Sequence, residues 1–263
     1  MATQNTTAAA TAAPAAPKGT PAAKPLPDYK AMPKRAIKRH SLQTRVTHGI
    51  VVVSGLWLMI SGLFVFIPPL ANAVPDIAQG MRISHRVAGC LLLLAPLVSA
   101  IMAPKGVKAI WDKYITSWTK EDVEFVVKFV PYMLGPKRVH MPDQDEVKSG
   151  QRIADGILFI GAFIMIVTGL ILWLGTSVFR AGPDVLVVAR FLHDLFFLVM
   201  VILVIAHVYL GLGVFQPYRG TWRVMFGDGQ IDESSALYHW GFWARKEIED
   251  GKNVVPDVKA ARK

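Results

Sequence analysis

The chain has 263 residues, 52% of them hydrophobic, and a formal net charge of +10. A soluble domain seldom combines such hydrophobicity with such basicity. One cysteine, Cys90, excludes a disulfide framework, an iron–sulfur ligand set and the C-x-x-C-H attachment of covalent haem, and there is neither a phosphate-binding glycine loop nor a nucleophile motif.

Residues 1–36 open the chain with "TTAAATAAPAAPKGTPAAKP", Ala, Pro and Thr without an apolar pattern. They read as a disordered arm, and they lack the apolar core of a signal peptide. Four apolar stretches follow, at about residues 46–67, 83–103, 153–175 and 187–215. Each reaches the roughly 20 helical residues that a hydrocarbon core requires. The alternating ten-residue segments of a β-barrel are absent. The expected fold is all-α, an integral membrane four-helix bundle. Its membrane domain is predicted over residues 37–226, with a C-terminal tail over 227–263.

Between the second and third stretches lies "WTKEDVEFVVKF". Thr119 is placed to cap a helix whose third position is Asp122. Trp118, Val123, Val126, Val127 and Val130 then form an apolar stripe. The expectation is an amphipathic helix on the cytoplasmic surface, or a linker helix packed on the bundle.

Basic residues orient the bundle. Lys18, Lys24, Lys30, Lys34, Arg35, Lys38, Arg39 and Arg45 precede the first stretch, and the middle loop and tail are also basic. The loops at about 68–82 and 176–186 are nearly bare of Lys and Arg. The positive-inside rule puts both termini and the middle loop in the cytoplasm; the expected location is a bacterial inner membrane. This segregation explains the charge by topology and anionic lipid headgroups, so no nucleic-acid partner is expected.

Four of the seven histidines fall in the apolar stretches. A histidine in a membrane span is costly and marks function by default. His193 and His207 lie fourteen residues apart in one stretch, about four turns and roughly 21 Å along one helix face. His48 starts the first stretch near the cytoplasmic side, and His85 starts the second near the opposite side. Depth therefore pairs His48 with His207 and His85 with His193. Two layers of two suit two bis-histidine haems b better than zinc, which wants three or four ligands at one depth. A proton relay would recruit acids at intermediate depth, whereas Asp155 and Asp194 lie near helix ends. Gly55, Gly62, Gly89 and Gly211 recur on the histidine faces and would admit a flat macrocycle; alone, they fit ordinary small-residue packing better. Arg45, Arg86 and Arg190 lie one to three residues from a histidine. They are candidates for haem propionates and equally for headgroup anchors.

These stretches resemble the membrane cytochrome b (gamma) subunit of respiratory formate dehydrogenases. The resemblance rests on "RVTHGI", "ISHRVAG", "RFLHDLFF" and "HVYLGL", on "SGQR" opening the third helix, and on "GTWRVMFGDGQIDESSALYHWGFWARKE". It covers about residues 45–247. It implies a diheme electron carrier in which His85 and His193 hold the distal haem and His48 and His207 the cytoplasmic one. It implies electrons from an iron–sulfur (beta) subunit, passed to menaquinone or ubiquinone near the cytoplasmic haem. Formate oxidation would reside on a molybdenum or tungsten (alpha) subunit. The family's quinone pocket matches Gly150 and Gln151, while an asparagine of that pocket is replaced near Lys148. Asp155, one turn beyond Gln151, is a candidate proton carrier, and His207 closes the pocket. The alternatives are the cytochrome b of a membrane hydrogenase or related reductase and, in another class, a haem-free anchor or transporter.

Overall fold

A computed structural model describes residues 35–256. The expected arm is outside the described residues except for Arg35 and Ala36. Those two correct its boundary, because they belong to a strand, β1 (Arg35–Lys38), in which Ala36 is fully buried.

Four long helices carry the fold: α1 (Leu42–Phe66), α3 (Pro75–Met102), α6 (Ser149–Leu174) and α7 (Pro183–Gly211). All four are long and apolar enough to cross a membrane, as the sequence predicts. The chain is an all-α, multi-pass membrane bundle. The short α2 (Pro68–Ala73) joins α1 to α3, and α4 (Pro104–Tyr114) follows α3 directly. Helix starts follow local chemistry. Ser41 Oγ accepts from the Thr44 amide at 3.2 Å to begin α1. Prolines open α2, α3, α4 and α7, where a missing N–H leaves no bond unmade. The second span begins earlier than residue 83 and the fourth stops at Gly211 rather than 215; the chain beyond it turns back through cis-Pro217.

α1 packs on α3 and α6 on α7, and few contacts join these two hairpins. The histidines project into the seam between them. Outward faces carry exposed aliphatics such as Val53 and Ile101, more than 70% exposed. Such a surface requires lipid.

One end of the bundle is capped. Helix α5 (Lys120–Leu134) begins at Thr119 with the expected capping box: the Thr119 amide donates to Asp122 Oδ2 at 2.8 Å, and the Asp122 amide returns to Thr119 Oγ1 at 3.3 Å. The expected stripe of Trp118 and four valines is exposed. The packed face is a different one, with Phe125, Tyr132 and Met141 buried together.

The tail is folded. After α8 (Arg223–Phe226) come β2 (Gln230–Asp232), α9 (Glu233–His239), α10 (Gly241–Asp250) and β3 (Val254–Pro256). β1 lies between β2 and β3, antiparallel to both, with Ile37 opposite Ile231 and Val254. Ile37, Val224, Ile231, Ala236, Trp240, Trp243 and Ala244 form its core. Arg39 fastens this cap to the middle loop: its guanidinium lies 4.0 Å from the Trp240 ring centre and donates to the Glu146 carbonyl. Burial lowers its pKa to about 10.

Candidate functional site

The seam holds two histidine pairs at two depths. His48 of α1 faces His207 of α7 near the cap, ring centres 6.4 Å apart and planes inclined by 42°. His85 of α3 faces His193 of α7 toward the far end, again at 6.4 Å, with planes at 65°. These are the pairs expected from depth alone. A metal bonded to one nitrogen of each ring at about 2 Å would hold the ring centres roughly this far apart. No group of three or more His, Cys, Asp or Glu side chains converges among the described residues, so the donor set is two imidazoles per site. That fits an axial pair on a haem and not a tetrahedral zinc centre.

The surroundings of each ring differ. His85 Nδ1 is 2.9 Å from Ser61 Oγ, and His193 Nδ1 is 2.8 Å from Thr168 Oγ1. Both hydroxyls are buried, and nothing in the local sequence marks either as a histidine partner. His48 Nδ1 is buried without a hydrogen-bond partner, and its ring lies edge-on to Phe226 of the cap. His207 Nδ1 stands 3.9 Å from Asp155 Oδ1. Of the four histidine-face glycines, Gly62 abuts a ring: a Cβ there would sit 3.5 Å from His85 Cε1. Gly55, Gly89 and Gly211 face open space.

Asp155 gathers the capped-end polar groups. Gln151 Nε2 donates to Asp155 Oδ2 at 3.0 Å, and the Tyr114 hydroxyl donates to the same oxygen. Burial, then the charge and hydrogen bond of Asp155, push the Tyr114 pKa up, so it remains a phenol. Gln151, Asp155 and His207 thus come together as expected, and Tyr114 joins them unforeseen from α4. Gly150 has a packing role: a Cβ there would meet Phe125 Cε1 at 3.1 Å. Lys148 points away, its Nζ buried 2.9 Å from His239 Nδ1 beneath the cap. The three arginines are engaged by protein groups. Arg45 donates to the Gly227 carbonyl, Arg86 lies 5.8 Å from the Trp173 ring centre, and Arg190 Nε donates to Asp194 at 3.0 Å.

A multi-pass helical bundle with histidines paired across its interior defines the class of membrane cytochromes. Comparison with protein families agrees: residues 39–228 match the prokaryotic cytochrome b561 family. The chain belongs to that family, and membership implies a b-type haem. It is also similar to the formate dehydrogenase cytochrome b556 subunit of Haemophilus influenzae (strain ATCC 51907 / DSM 11121 / KW20 / Rd), 23% identical over 214 residues, covering 81% of this chain and 84% of the relative. That relative bears out the formate dehydrogenase resemblance of the sequence motifs.

Proposed function

We propose that the chain is a diheme b-type cytochrome that carries electrons from the iron–sulfur subunit of a formate dehydrogenase across the membrane to quinone. The observation that carries this reading is the duplication of the histidine pair at one ring spacing, 6.4 Å, in two layers of one bundle. A single haem would need one pair; a path across a membrane about 30 Å thick needs a relay. His85 and His193 hold the distal haem, and His48 and His207 the one near the cap. When bound, haem b accepts and donates one electron at a time. Arg86, Arg190 and Arg45 are the propionate candidates. The catalytic molybdenum or tungsten subunit oxidises formate elsewhere in the complex.

Quinone takes up two electrons and two protons at the capped end, in the cytoplasm by the distribution of Lys and Arg. Gln151 Nε2, which donates to Asp155 Oδ2, is the candidate donor to a quinone carbonyl. Asp155 delivers protons, and Tyr114 orients it. The inner membrane is the expected location.

Purification with its native partners tests the reading. Haem extracted and measured against polypeptide should give about two noncovalent haems b per chain, both reducible by formate. Reduction by hydrogen but not formate would favour the hydrogenase cytochrome, and a chain without haem would overturn the proposal.

A further inference from the structure

The most buried polar side chains of the spanning helices include Ser61 and Thr168, 0% and 4% exposed. They occupy equivalent places. Ser61 is on α1, the first helix of one hairpin, and bonds His85 on the second. Thr168 is on α6, the first helix of the other, and bonds His193 on the second. The separations along the chain are 24 and 25 residues. Their settings repeat as well: "ISGL" at 60–63 and "VTGL" at 167–170. In each, the glycine after the hydroxyl lies under the same imidazole. A Cβ at Gly62 would be 3.5 Å from His85 Cε1, and one at Gly169 would be 3.3 Å from His193 Cε1.

Hydroxyl chemistry sets the direction of these bonds. Ser61 Oγ donates its hydrogen to the Trp57 carbonyl at 2.7 Å, and Thr168 Oγ1 donates to the Ile164 carbonyl at 2.7 Å. Each has one hydrogen and has spent it. Toward histidine each is left an acceptor, so Nδ1 carries the proton and Nε2 presents its lone pair to the seam. The capped-end pair has no such arrangement: His48 Nδ1 has no hydrogen-bond partner and His207 Nδ1 stands 3.9 Å from a carboxylate.

We infer that the repeated hydroxyl–glycine pairs, Ser61–Gly62 and Thr168–Gly169, are seats that fix the tautomer and ring orientation of the distal haem's two ligands, and that they tune that haem alone. This rests on the two-haem reading. A hydrogen bond from Nδ1–H makes the imidazole a more basic ligand, which favours the oxidised metal. Loss of the acceptor therefore raises the midpoint potential of the distal haem and weakens its retention.

The test is an optical redox titration of the purified complex, with haem measured against polypeptide. Ser61→Ala and Thr168→Val are compared with Thr168→Ser, which keeps the acceptor. Ser54→Ala serves as the control, since Ser54 makes the same backbone bond, to Ile50 at 2.6 Å, but no histidine bond. Wild type should titrate as two b components. In Ser61→Ala and Thr168→Val one component should move upward, with about tenfold weaker binding of its oxidised form, equivalent to about 59 mV for one electron. The other component, the Thr168→Ser protein and the Ser54→Ala protein should match wild type. Two unmoved components in both hydroxyl-deleted proteins would overturn the seats while leaving the two-haem reading intact; an equal shift of both components, or one shared by Ser54→Ala, would also overturn them. One component in wild type would overturn the two-haem reading itself. If Ser61→Ala does not assemble, Thr168→Val and Thr168→Ser decide the same question.

Discussion

Tyr114, on the short helix beyond the second span, donates a hydrogen bond to Asp155 in the third span, 41 residues away. A carboxylate near the bundle interior is thereby held by a phenol as well as by Gln151 one turn before it. Asp155 in turn faces His207. This chain of contacts links the end of α4 to the capped-end histidine pair.

Removing the phenol should disturb proton delivery without touching the electron path. Tyr114→Phe takes a charge-assisted hydrogen bond from Asp155, worth about 1.5–3 kcal/mol. We expect both haems to be reduced by the partner as in wild type, while quinone turnover falls about tenfold or more. Stopped-flow spectra followed by steady-state quinone kinetics separate the two steps; unchanged turnover would remove Tyr114 from the route.

Gln151→Leu probes quinone binding. Its side-chain amide is the proposed donor to the quinone carbonyl, and its loss leaves that carbonyl unpaired, at a cost of roughly 1–3 kcal/mol. Quinone or inhibitor affinity should fall accordingly in a protein that retains both haems. Equilibrium titration of a quinone-site inhibitor provides the check, and normal affinity would place the pocket elsewhere.

The two layers should be separable. Substituting His193 or His85 by Ala should eliminate the haem nearer the partner subunit. Substituting His207 or His48 should eliminate the one near the cap and abolish quinone reduction. Haem content and formate-reduced spectra of the four proteins report this directly; loss of the same haem from His193→Ala and His48→Ala would break the pairing.

Asp122 fastens α5 to the start of α6, accepting from Ser149 Oγ at 2.6 Å and standing 3.6 Å from Arg152 Nη1. Burial opposes its ionisation, but hydrogen bonds from Ser149 and Thr119 and the charge of Arg152 outweigh that and hold its pKa below the usual carboxylate value. A carboxylate with a lowered folded pKa stabilises the fold above its unfolded pKa, about 4, and that contribution disappears as pH falls through the folded value. Amide protection in α5, taken relative to the intrinsic exchange rate at each pH, should therefore fall between about pH 4 and the acid limit. In Asp122→Asn protection should already be lower at pH 7 and this acid-dependent loss should be absent.

The cap is expected to fold as part of the protein rather than hang from it. Trp243 is 6% exposed in the core beside Ile37 and Ile231. Trp243→Ala should cost about 3–5 kcal/mol, free the cap segments that precede and follow the bundle in sequence to protease, and leave haem content unchanged. Limited proteolysis with mass spectrometry of the fragments would show it.

Much of this architecture is written in local sequence. Span length depends only on the rise per residue and the run of apolar side chains, so four crossings are readable from residues 46–215. Because each helix runs from one face to the other, position along the chain also gives depth, and depth alone pairs His48 with His207 and His85 with His193. The Thr119–Asp122 box is legible for the same reason, since both partners lie within one turn. Lateral partners are different. Ser61 and Thr168 read as ordinary small polar residues until the hairpins bring His85 and His193 beside them. Tyr114 carries no local signal of its own until its hydroxyl meets Asp155 of α6, and Arg39 reads as one more positive charge until Trp240 lies under it. The strand at Arg35–Lys38 is four residues beside an Ala/Pro-rich stretch, too short to signal itself, and it exists because β2 and β3 supply its hydrogen bonds from more than 190 residues away. Periodicity reports which face of an element is apolar and how deep a residue sits; which neighbour that face meets is set by packing between segments distant in sequence, and only the tertiary structure decides it.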